Sequence, residues 1–446
     1  MLTNIDLPSH NDNERITSPL PFSAVYNKQQ FISQFVSLHH QSTQPTLVNQ
    51  LLTTPLPNVF AEYWILYDAY RRPIACAGAN TVMSDTSVGY VGLFEAKTEQ
   101  AGIAVLKAAT SWLRRGGLRQ FAPVRQILGP VNMTTWLQYR LRVDMDNMPS
   151  MSFEPRHPMF YQACFEKVGF VKAADYYTTF FNIDQLVDGY QNYTRGESLD
   201  HLGLVMQSWN TLDFAASLCP ERHPELTSQD DVAKRVYGLS IELFKGKELF
   251  DESLSHQDHR QIVLNEMISR PEVDNASLMD LSSFVVNTIT GQDVGYLACW
   301  VEGHDTLVMK TVGFIPEVRK TRVFAISVLE TIRRGRDVWG CTKVACALMN
   351  ENSVAISERV GGKSVRHVYR LYIHMPQRVS DAHLEQHLVA TTTSATAMIS
   401  SPPPLKTFGT AATAVVTNQQ KQQLHWEQQR IKNMAQRSNG RTLARL

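Results

Sequence analysis

The sequence predicts an α/β protein in which one order of elements, strand–helix–strand–helix–strand, occurs twice. Residues 306–374 show this order in full, and residues 88–183 show it earlier in the chain. Glycines at 116–117, 169 and 361–362 follow helical segments, in the position of a C-terminal glycine cap. The chain therefore reads as two similar α/β units in tandem, each with a mixed twisted sheet and helices on both faces.

The second copy has the clearer elements. Thr306–Phe314 is apolar and β-branched, which predicts a strand that Pro316 ends. Residues 323–337 have apolar side chains every three residues, which predicts one buried helix face. A further strand is predicted over Trp339–Met349. A short helix over 353–360 and a closing strand over His367–His374 complete the unit.

The first copy repeats that order. A hairpin is predicted from Tyr63–Tyr67 and Ile74–Ala79, after an amphipathic helix at Gln29–His40. The repeated elements are predicted as the strand Val88–Ala96, the helix Ala101–Arg115, the strand Gln126–Val131, the helix Pro158–Val168 and the strand Ala174–Ile183. Between the copies we expect helices over Trp209–Pro220 and Asp230–Phe250, then a hairpin from Ser282–Ile289 and Val294–Val301.

Composition sets broad bounds. With 446 residues the chain can form two or three domains, and 43% hydrophobic and 19% charged residues are ordinary for a globular protein. A net charge of +1 gives no indication of nucleic-acid or membrane binding. The six cysteines form no C-x-x-C pair, which favours buried free thiols in a reducing compartment.

The two ends differ from the rest. The polar, partly acidic N-terminus resembles neither a secretory signal nor a transit peptide, and no apolar run would cross a bilayer, so we expect a cytoplasmic protein. The predicted parts are a flexible arm (1–20), an N-terminal unit (21–194), a C-terminal unit (195–378) and a low-complexity, disordered tail (379–446). The basic segment 421–446 is either a solvated tail or a docking helix for a protein partner.

Several motifs carry a resemblance to a known family. The second copy contains V-G-F-I-P-E-V-R before its helix, an A-L-M-N turn, Gly361 and an aromatic closing strand. The first copy contains G-L-F-E (92–95), G-P-V-N (129–132) and H-P-M-F-Y (157–161). Together they resemble the GNAT (N-acetyltransferase) superfamily, and the first-copy motifs resemble a tandem GNAT-like subgroup of bacterial proteins. The resemblance implies two tandem GNAT-like units.

That resemblance implies an acyl-CoA-dependent N-acyltransferase. Its co-substrate would be acetyl-CoA or another acyl-CoA, without a metal, and its acceptor a small amine or amino acid; we expect no nucleic-acid or membrane partner. The cofactor-binding residues that it implies are Val312, Phe314, Arg319, Lys320, Arg322 and Asn350. The family's phosphate pattern starts at Arg319, but its two small positions are Arg322 and Phe324, where side chains hinder close backbone approach. The basic cluster would then bind phosphate through side chains, or be a solvated turn.

The catalytic candidates each have a second interpretation. Glu95 ends a strand and would be a general base or a solvated carboxylate, and Tyr161 would be the general acid or a packed aromatic. Ser357 occupies the place of the family's tyrosine and would orient a water or lie on the helix surface. Asn132 would contact substrate and Asn350 the cofactor, or each would bond its own turn. The lost glycines and the missing tyrosine favour a rival function, a catalytically inactive GNAT-like protein that binds a partner or an acyl carrier.

Overall fold

The computed structural model describes residues 18–39, 45–54, 56, 58–134, 137, 139–144, 150–209, 231–244, 274–318 and 321–375. All of them belong to one compact unit, Met1–Gln377. Most of the predicted N-terminal arm, nearly all of the predicted helix Trp209–Pro220 and the whole tail 379–446 lie outside these residues. The boundary between the units at residue 194 remains a prediction.

The described elements confirm the α/β class. The strands are β1 (Leu20–Pro21), β2 (Val59–Tyr67), β3 (Pro73–Val82), β4 (Asp85–Ala96), β5 (Gln126–Gly129), β6 (Leu141–Arg142), β7 (Val171–Asn182), β8 (Leu204–Ser208), β9 (Ser283–Asn287), β10 (Asp293–Glu302), β11 (Thr306–Phe314), β12 (Lys343–Met349) and β13 (Val365–His374). The helices longer than one turn are α1 (Lys28–Leu38), α2 (Pro45–Thr53), α3 (Glu99–Arg114), α4 (Phe160–Val168), α5 (Ile183–Thr194), α6 (Asp231–Phe244), α7 (Asn275–Leu281), α8 (Val323–Asp337) and α9 (Glu351–Gly361).

The repeat extends further along the chain than the sequence indicates. The first half runs β1-α1-α2-β2-β3-β4-α3-β5-α4-β7, and the second runs β8-α6-α7-β9-β10-β11-α8-β12-α9-β13. In each half an edge strand pairs with the next strand of the half, and the strand before the long helix pairs in parallel with the strand after it. The tandem order predicted from the sequence is confirmed among these elements, and α5 joins the two halves.

The two halves share one sheet. Its order across the described strands is β1-β2-β3-β4-β5-β13-β7-β12-β11-β10-β9-β8, and β6 pairs with β13 beyond β5. The last strand of each half has crossed over: β13 lies between β5 and β7, and β7 lies between β13 and β12. A separate sheet for each unit was therefore the wrong expectation. Side-chain alternation fixes which face of a strand is buried, but not which strand lies beside it.

Helices cover both faces of the sheet. In the first half, α1 and α2 pack on one buried cluster with residues such as Phe35 and Leu51, and α3 and α4 pack on another with Val105 and Phe165. In the second half, Gly313 meets Leu243 of α6, whereas Leu307 meets Gly335 of α8. Leu307 and Gly313 are six residues apart and would share a face of a regular strand. The extra residue of β11 at Lys310 shifts the alternation, so they face opposite sides of the sheet.

The joining helix α5 lies between α8 and α9 and packs on both. Gly189 permits this approach, because an added Cβ would stand 1.9 Å from the carbonyl oxygen of Val360. Along α8, Arg333 Nη2 donates to Gln191 Oε1 at 3.0 Å. In the first half nothing comes between the equivalent helices, and α3 contacts α4 directly.

Element bounds differ from the predicted ones in a few places. β12 begins at Lys343 instead of Trp339, because α8 continues to Asp337 and Gly340 then turns the chain with φ +68°. β2 begins four residues earlier than predicted, at Val59. Within the described part of the chain, no helix combines the length and the apolar character that a membrane span requires.

Candidate functional site

Glu95 and Tyr161 meet at the end of β4. The Tyr161 hydroxyl, in the first turn of α4, donates to Glu95 Oε2 at 2.7 Å and accepts from the backbone N–H of Ala96 at 2.7 Å. Glu95 is only 6% exposed, so the strand-end carboxylate is buried. Among the described residues, Glu95 Oε1 has no hydrogen-bond partner. The structure thus brings together two of the three predicted catalytic residues.

This environment changes how the pair titrates. Burial raises the pKa of Glu95 to about 7, against the lowering effect of the hydrogen bond from Tyr161. Burial and the neighbouring Glu95 raise the pKa of Tyr161 above its usual range. The imidazole of His157 stacks on Tyr161 with ring centroids 5.5 Å apart, and burial lowers the pKa of His157 to about 4. Near neutral pH, Glu95 is the member of this group that can exchange a proton.

Asn132 closes the space between β4 and the end of β5. Its Oδ1 accepts from the backbone N–H of Leu93 at 2.8 Å, and the N–H of Val131 donates to Val91 O at 2.9 Å. Gly92 lies opposite, where an added Cβ would stand 2.0 Å from Val131 O. Hydrogen bonds from Val131 and Asn132 therefore close the gap between β4 and the chain after β5. An acyl chain would need that gap to be open.

The equivalent strands of the second half separate. β11 and β12 pair in parallel from Thr306 and Lys343 only as far as Met309 and Cys346. Beyond that point Lys310–Val312 and Cys346–Met349 are half-buried. β11 continues to Phe314 and β12 to Met349 without further pairing between them, and we call this unpaired stretch between the two strands the crevice. Val312 lies along it, and Phe314 is buried against the ring of Phe324 at 6.1 Å.

The crevice leads to the beginning of α8. Arg319 and Lys320 lie outside the described residues. Arg322 is the N-cap of α8, and its Nη1 donates to Glu197 Oε1 at 2.6 Å and to Thr194 O at 3.5 Å. Arg322 thus neutralises Glu197 beside the C-terminus of α5, where a cation is favourable. This contact accounts for a cation at a helix start without a bound phosphate.

The remaining predicted residues lie on α9. Asn350 caps the helix, with Oδ1 accepting from the N–H of Ser353 at 2.9 Å. Ser357 is buried, and its hydroxyl contacts Met349 Sδ at 3.7 Å.

Sequence reasoning missed Tyr190 of α5, a buried phenol that lies close to Ser357 and Cys346. Burial raises the pKa of Tyr190 above its usual range. Its position one turn before the end of a helix was the available signal, but only the docking of α5 brings it here.

The predicted site residues therefore form two groups. Glu95, Tyr161 and Asn132 lie on the first half, whereas Val312, Phe314, Arg322, Asn350 and Ser357 lie on the second. Four strand spacings separate β4 from β12, about 19 Å at the usual spacing between strands. One acyl group could not be reached from both places, since proton transfer requires hydrogen-bond distance.

No protein-family model and no curated protein matches the sequence. Solved structures similar to the chain include N-acetyltransferases of the GCN5-related type. A tandem GNAT protein from the clavulanic acid biosynthesis pathway is 11% identical with a TM-score of 0.44, over 80% of this chain and 98% of that one. A GCN5-related N-acetyltransferase from Sphaerobacter thermophilus is 13% identical with a TM-score of 0.42, over 82% and 96%. A probable N-acyltransferase from Enterococcus faecalis V583 is 8% identical with a TM-score of 0.44, over 81% and 72%.

Proposed function

We propose that the chain is an acyl-CoA-dependent N-acyltransferase whose second half binds acyl-CoA in the crevice between β11 and β12. One observation carries the proposal: the parallel pairing stops at Met309 and Cys346, next to the start of α8. An extended pantetheine arm needs such a gap, because it must hydrogen-bond to strand edges that no neighbouring strand uses. Phosphate groups would lie at the N-terminus of α8, where backbone N–H groups favour anions.

The proton donor for the leaving thiolate would be Tyr190. Its hydroxyl lies near Ser357 and Cys346, where the crevice begins. Ser357 would then orient the phenol instead of acting as the acid. The acceptor would be a small amine or amino acid that attacks the thioester directly, so that the carbon–sulfur bond breaks as the amide forms. The thiolate takes the proton of Tyr190, and the proton that the nitrogen loses restores the phenol. Glu95 would serve as a base only for an acceptor bound on the first half.

Calorimetry with acetyl-CoA and a longer acyl-CoA tests the proposal. We expect micromolar binding to the wild type and its loss in Arg322→Glu, which places a carboxylate at the start of α8. Glu197→Gln provides the matched variant: it releases Arg322 from its partner and should tighten binding several-fold. Absence of heat at millimolar CoA with folded protein would exclude the enzyme. With binding established, Tyr190→Phe should reduce turnover with a panel of amines while leaving acyl-CoA affinity unchanged.

A second candidate is a catalytically inactive GNAT-like protein that binds a partner or an acyl carrier. It is favoured by acids of the chain itself at both helix starts. Glu197 engages Arg322 at α8, while Thr98 Oγ1 accepts from Ala101 N–H at 3.3 Å at α3, whose first turn carries Glu99. At either place a phosphate would have to compete with a carboxylate of the chain that already has a cationic partner, Arg322 for Glu197 and Lys167 for Glu99. This candidate requires that acyl-CoA binds to neither the wild type nor Glu197→Gln.

A further inference from the structure

Arg140 is buried in the first half between two tyrosine rings. It ends the loop that leaves the sheet between β5 and β6, and its backbone N–H donates to Pro130 O at 2.9 Å. The guanidinium carbon lies 3.6 Å from the ring centroid of Tyr139 and 3.6 Å from that of Tyr176. Only 6% of Arg140 is exposed. The two rings are inclined at 73° to each other with centroids 6.3 Å apart, so the guanidinium contacts both rings but cannot stack flat on both.

This buried cation has no carboxylate partner among the described residues. The acids nearest in sequence to Arg140 and Tyr176 pair with other arginines: Asp144 Oδ1 pairs with Arg142 at 2.9 Å, while its Oδ2 has no hydrogen-bond partner among the described residues, and Asp175 pairs with Arg370 at 2.8 Å. Arg140 Nε has no hydrogen-bond partner among the described residues. Burial lowers the pKa of Arg140 to about 9, so the side chain remains charged at neutral pH.

An unpaired buried charge is costly, and in native proteins such a charge is normally paired. Cation–π contacts with two tyrosines offset part of that cost. They leave the Nε–H unsatisfied, which a structural role alone does not account for. A bound anion would supply the missing charge and the missing acceptor together.

The geometry selects the kind of anion. A ligand that satisfies the remaining donor must approach Arg140 at its Nε–H edge, because the two tyrosine rings occupy other parts of the guanidinium's surroundings. A planar carboxylate fits this approach, with one oxygen accepting from Nε–H and the other from Nη2–H. The Tyr139 hydroxyl accepts from Arg140 Nη2, which leaves its own proton for a ligand oxygen. A phosphate dianion would leave a second negative charge without a partner.

The surroundings also fit an organic acid. Leu128, Val131 and Leu371 form a buried apolar cluster, and half-buried side chains, including those of Tyr90 and Ile373, pack around it. Tyr139 and Tyr176 belong to the same group. A small apolar body attached to the carboxylate would contact this cluster.

We propose that Arg140, between Tyr139 and Tyr176, anchors a binding site for the carboxylate of a small organic acid. The three anchoring residues lie on the first half of the chain, apart from the crevice between β11 and β12, and the site requires no acyl-CoA. Failure of acyl transfer would leave this inference standing, and failure of carboxylate binding would leave the acyltransferase standing.

The test compares carboxylates with neutral isosteres on the full chain. Benzoate and butyrate are titrated beside benzamide and butyramide, with thermal unfolding and calorimetry as readouts. We expect both acids, and neither amide, to raise the Tm of the wild type. The rise should be lost in Arg140→Met but kept in Arg370→Met, the matched removal of a guanidinium that has its own carboxylate. Without ligand, Arg140→Met should unfold at the wild-type temperature or above, because an uncompensated buried charge has been removed.

Other outcomes overturn the proposal. One is a wild-type Tm that neither acid raises, and another is an equal rise in Arg140→Met. A marked fall in the Tm of ligand-free Arg140→Met would show that Arg140 stabilises the fold without a ligand. An equal rise in Tm with inorganic phosphate would show that the site does not select carboxylates. If Arg140→Met does not fold, Arg140→Lys keeps the charge but loses the planar fork. It should bind benzoate roughly tenfold more weakly, and undiminished binding would contradict the site.

Discussion

The two halves of the molecule have the same order of elements but differ in how the strands on either side of the long helix are bonded to each other. In the first half, β4 remains bonded to the chain after β5 as far as Leu93, through Val131 and the side chain of Asn132. In the second half, the pairing of β11 with β12 ends at Met309 and Cys346, and the strands separate. One copy is thus sealed by its own backbone, whereas the other has a crevice.

The buried titratable groups are distributed the other way. In the first half, Glu95 lies shortly after an extra residue in β4 and contacts Tyr161. In the second half, the position shortly after the extra residue of β11 is occupied by Val312, which cannot titrate. A tandem fold therefore does not imply two equivalent sites. The first copy has the buried carboxylate–phenol pair, and the second copy has the crevice. Any acyl transfer at the crevice therefore depends on residues of the second half and on α5.

The exchanged strands predict the largest effect. A chain ending at residue 194 lacks β13, which pairs with both β5 and β7, so the first half loses the centre of its sheet. We expect no cooperative thermal unfolding of this fragment by circular dichroism. A chain ending at residue 377 keeps every described strand and should unfold cooperatively. A cooperative transition in the short fragment would show that the first half is independent.

Adding one methyl group, by glycine-to-alanine substitution, should lower the free energy of unfolding more in β4 than in β11. In Gly92→Ala the new Cβ would stand 2.0 Å from the backbone oxygen of Val131, which must move, and we expect a loss of about 3 kcal/mol or more. In Gly313→Ala the closest atom, at 2.6 Å, is the flexible end of Leu243, and the loss should be about 1 kcal/mol. Urea unfolding measures both. Equal losses would contradict the difference between the halves.

The titration of Glu95 should appear in the pH dependence of stability. The pKa of Glu95 is raised from 4.5 to about 7 in the folded chain, so its contribution is complete below pH 4.5 and is lost as the pH rises through about 7. Between those limits the free energy of unfolding should fall by about 3 kcal/mol relative to Glu95→Gln. Denaturant unfolding at several pH values measures the difference. Parallel curves for the two proteins would mean that Glu95 titrates normally.

The ion pair at the start of α8 predicts the smallest effect. Arg322 and Glu197 are both partly exposed, so their coupling in a double-mutant cycle of Arg322→Ala and Glu197→Ala should be about 0.5 kcal/mol. Salt should weaken this coupling. A coupling several times larger would indicate that Arg322 holds α5 in place, and the Glu197→Gln variant would then disturb the fold as well as the binding of acyl-CoA.

Much of the local structure could be predicted from the sequence. The apolar spacing of Val323, Ile326 and Leu329 predicted α8, and Gly169 ends α4 with φ +100° as a glycine cap should. Helix faces and caps depend on side chains within a few residues of one another, so the chain order contains that information. Asn350 likewise bonds its own helix, one of the two interpretations that its turn allowed.

The candidate site was less predictable because its properties depend on distant parts of the chain. The burial of Glu95 requires α4, whose Tyr161 is 66 residues away, and the partner of Arg322 is 125 residues away. No local pattern places Tyr190 beside Ser357, since α5 had to insert between α8 and α9 first.

The order of strands and helices, their repetition and most of their ends follow from the chain's own pattern of apolar, β-branched and glycine residues. The neighbours of each strand do not follow from it, because an exposed strand edge offers the same backbone groups to any partner. The fold settled that β7 and β13 would exchange, that the first crevice would close and that Arg140 would be buried with no carboxylate partner in the described part of the chain. These outcomes depend on competition among long-range contacts, and such contacts exist only once the whole sheet has formed.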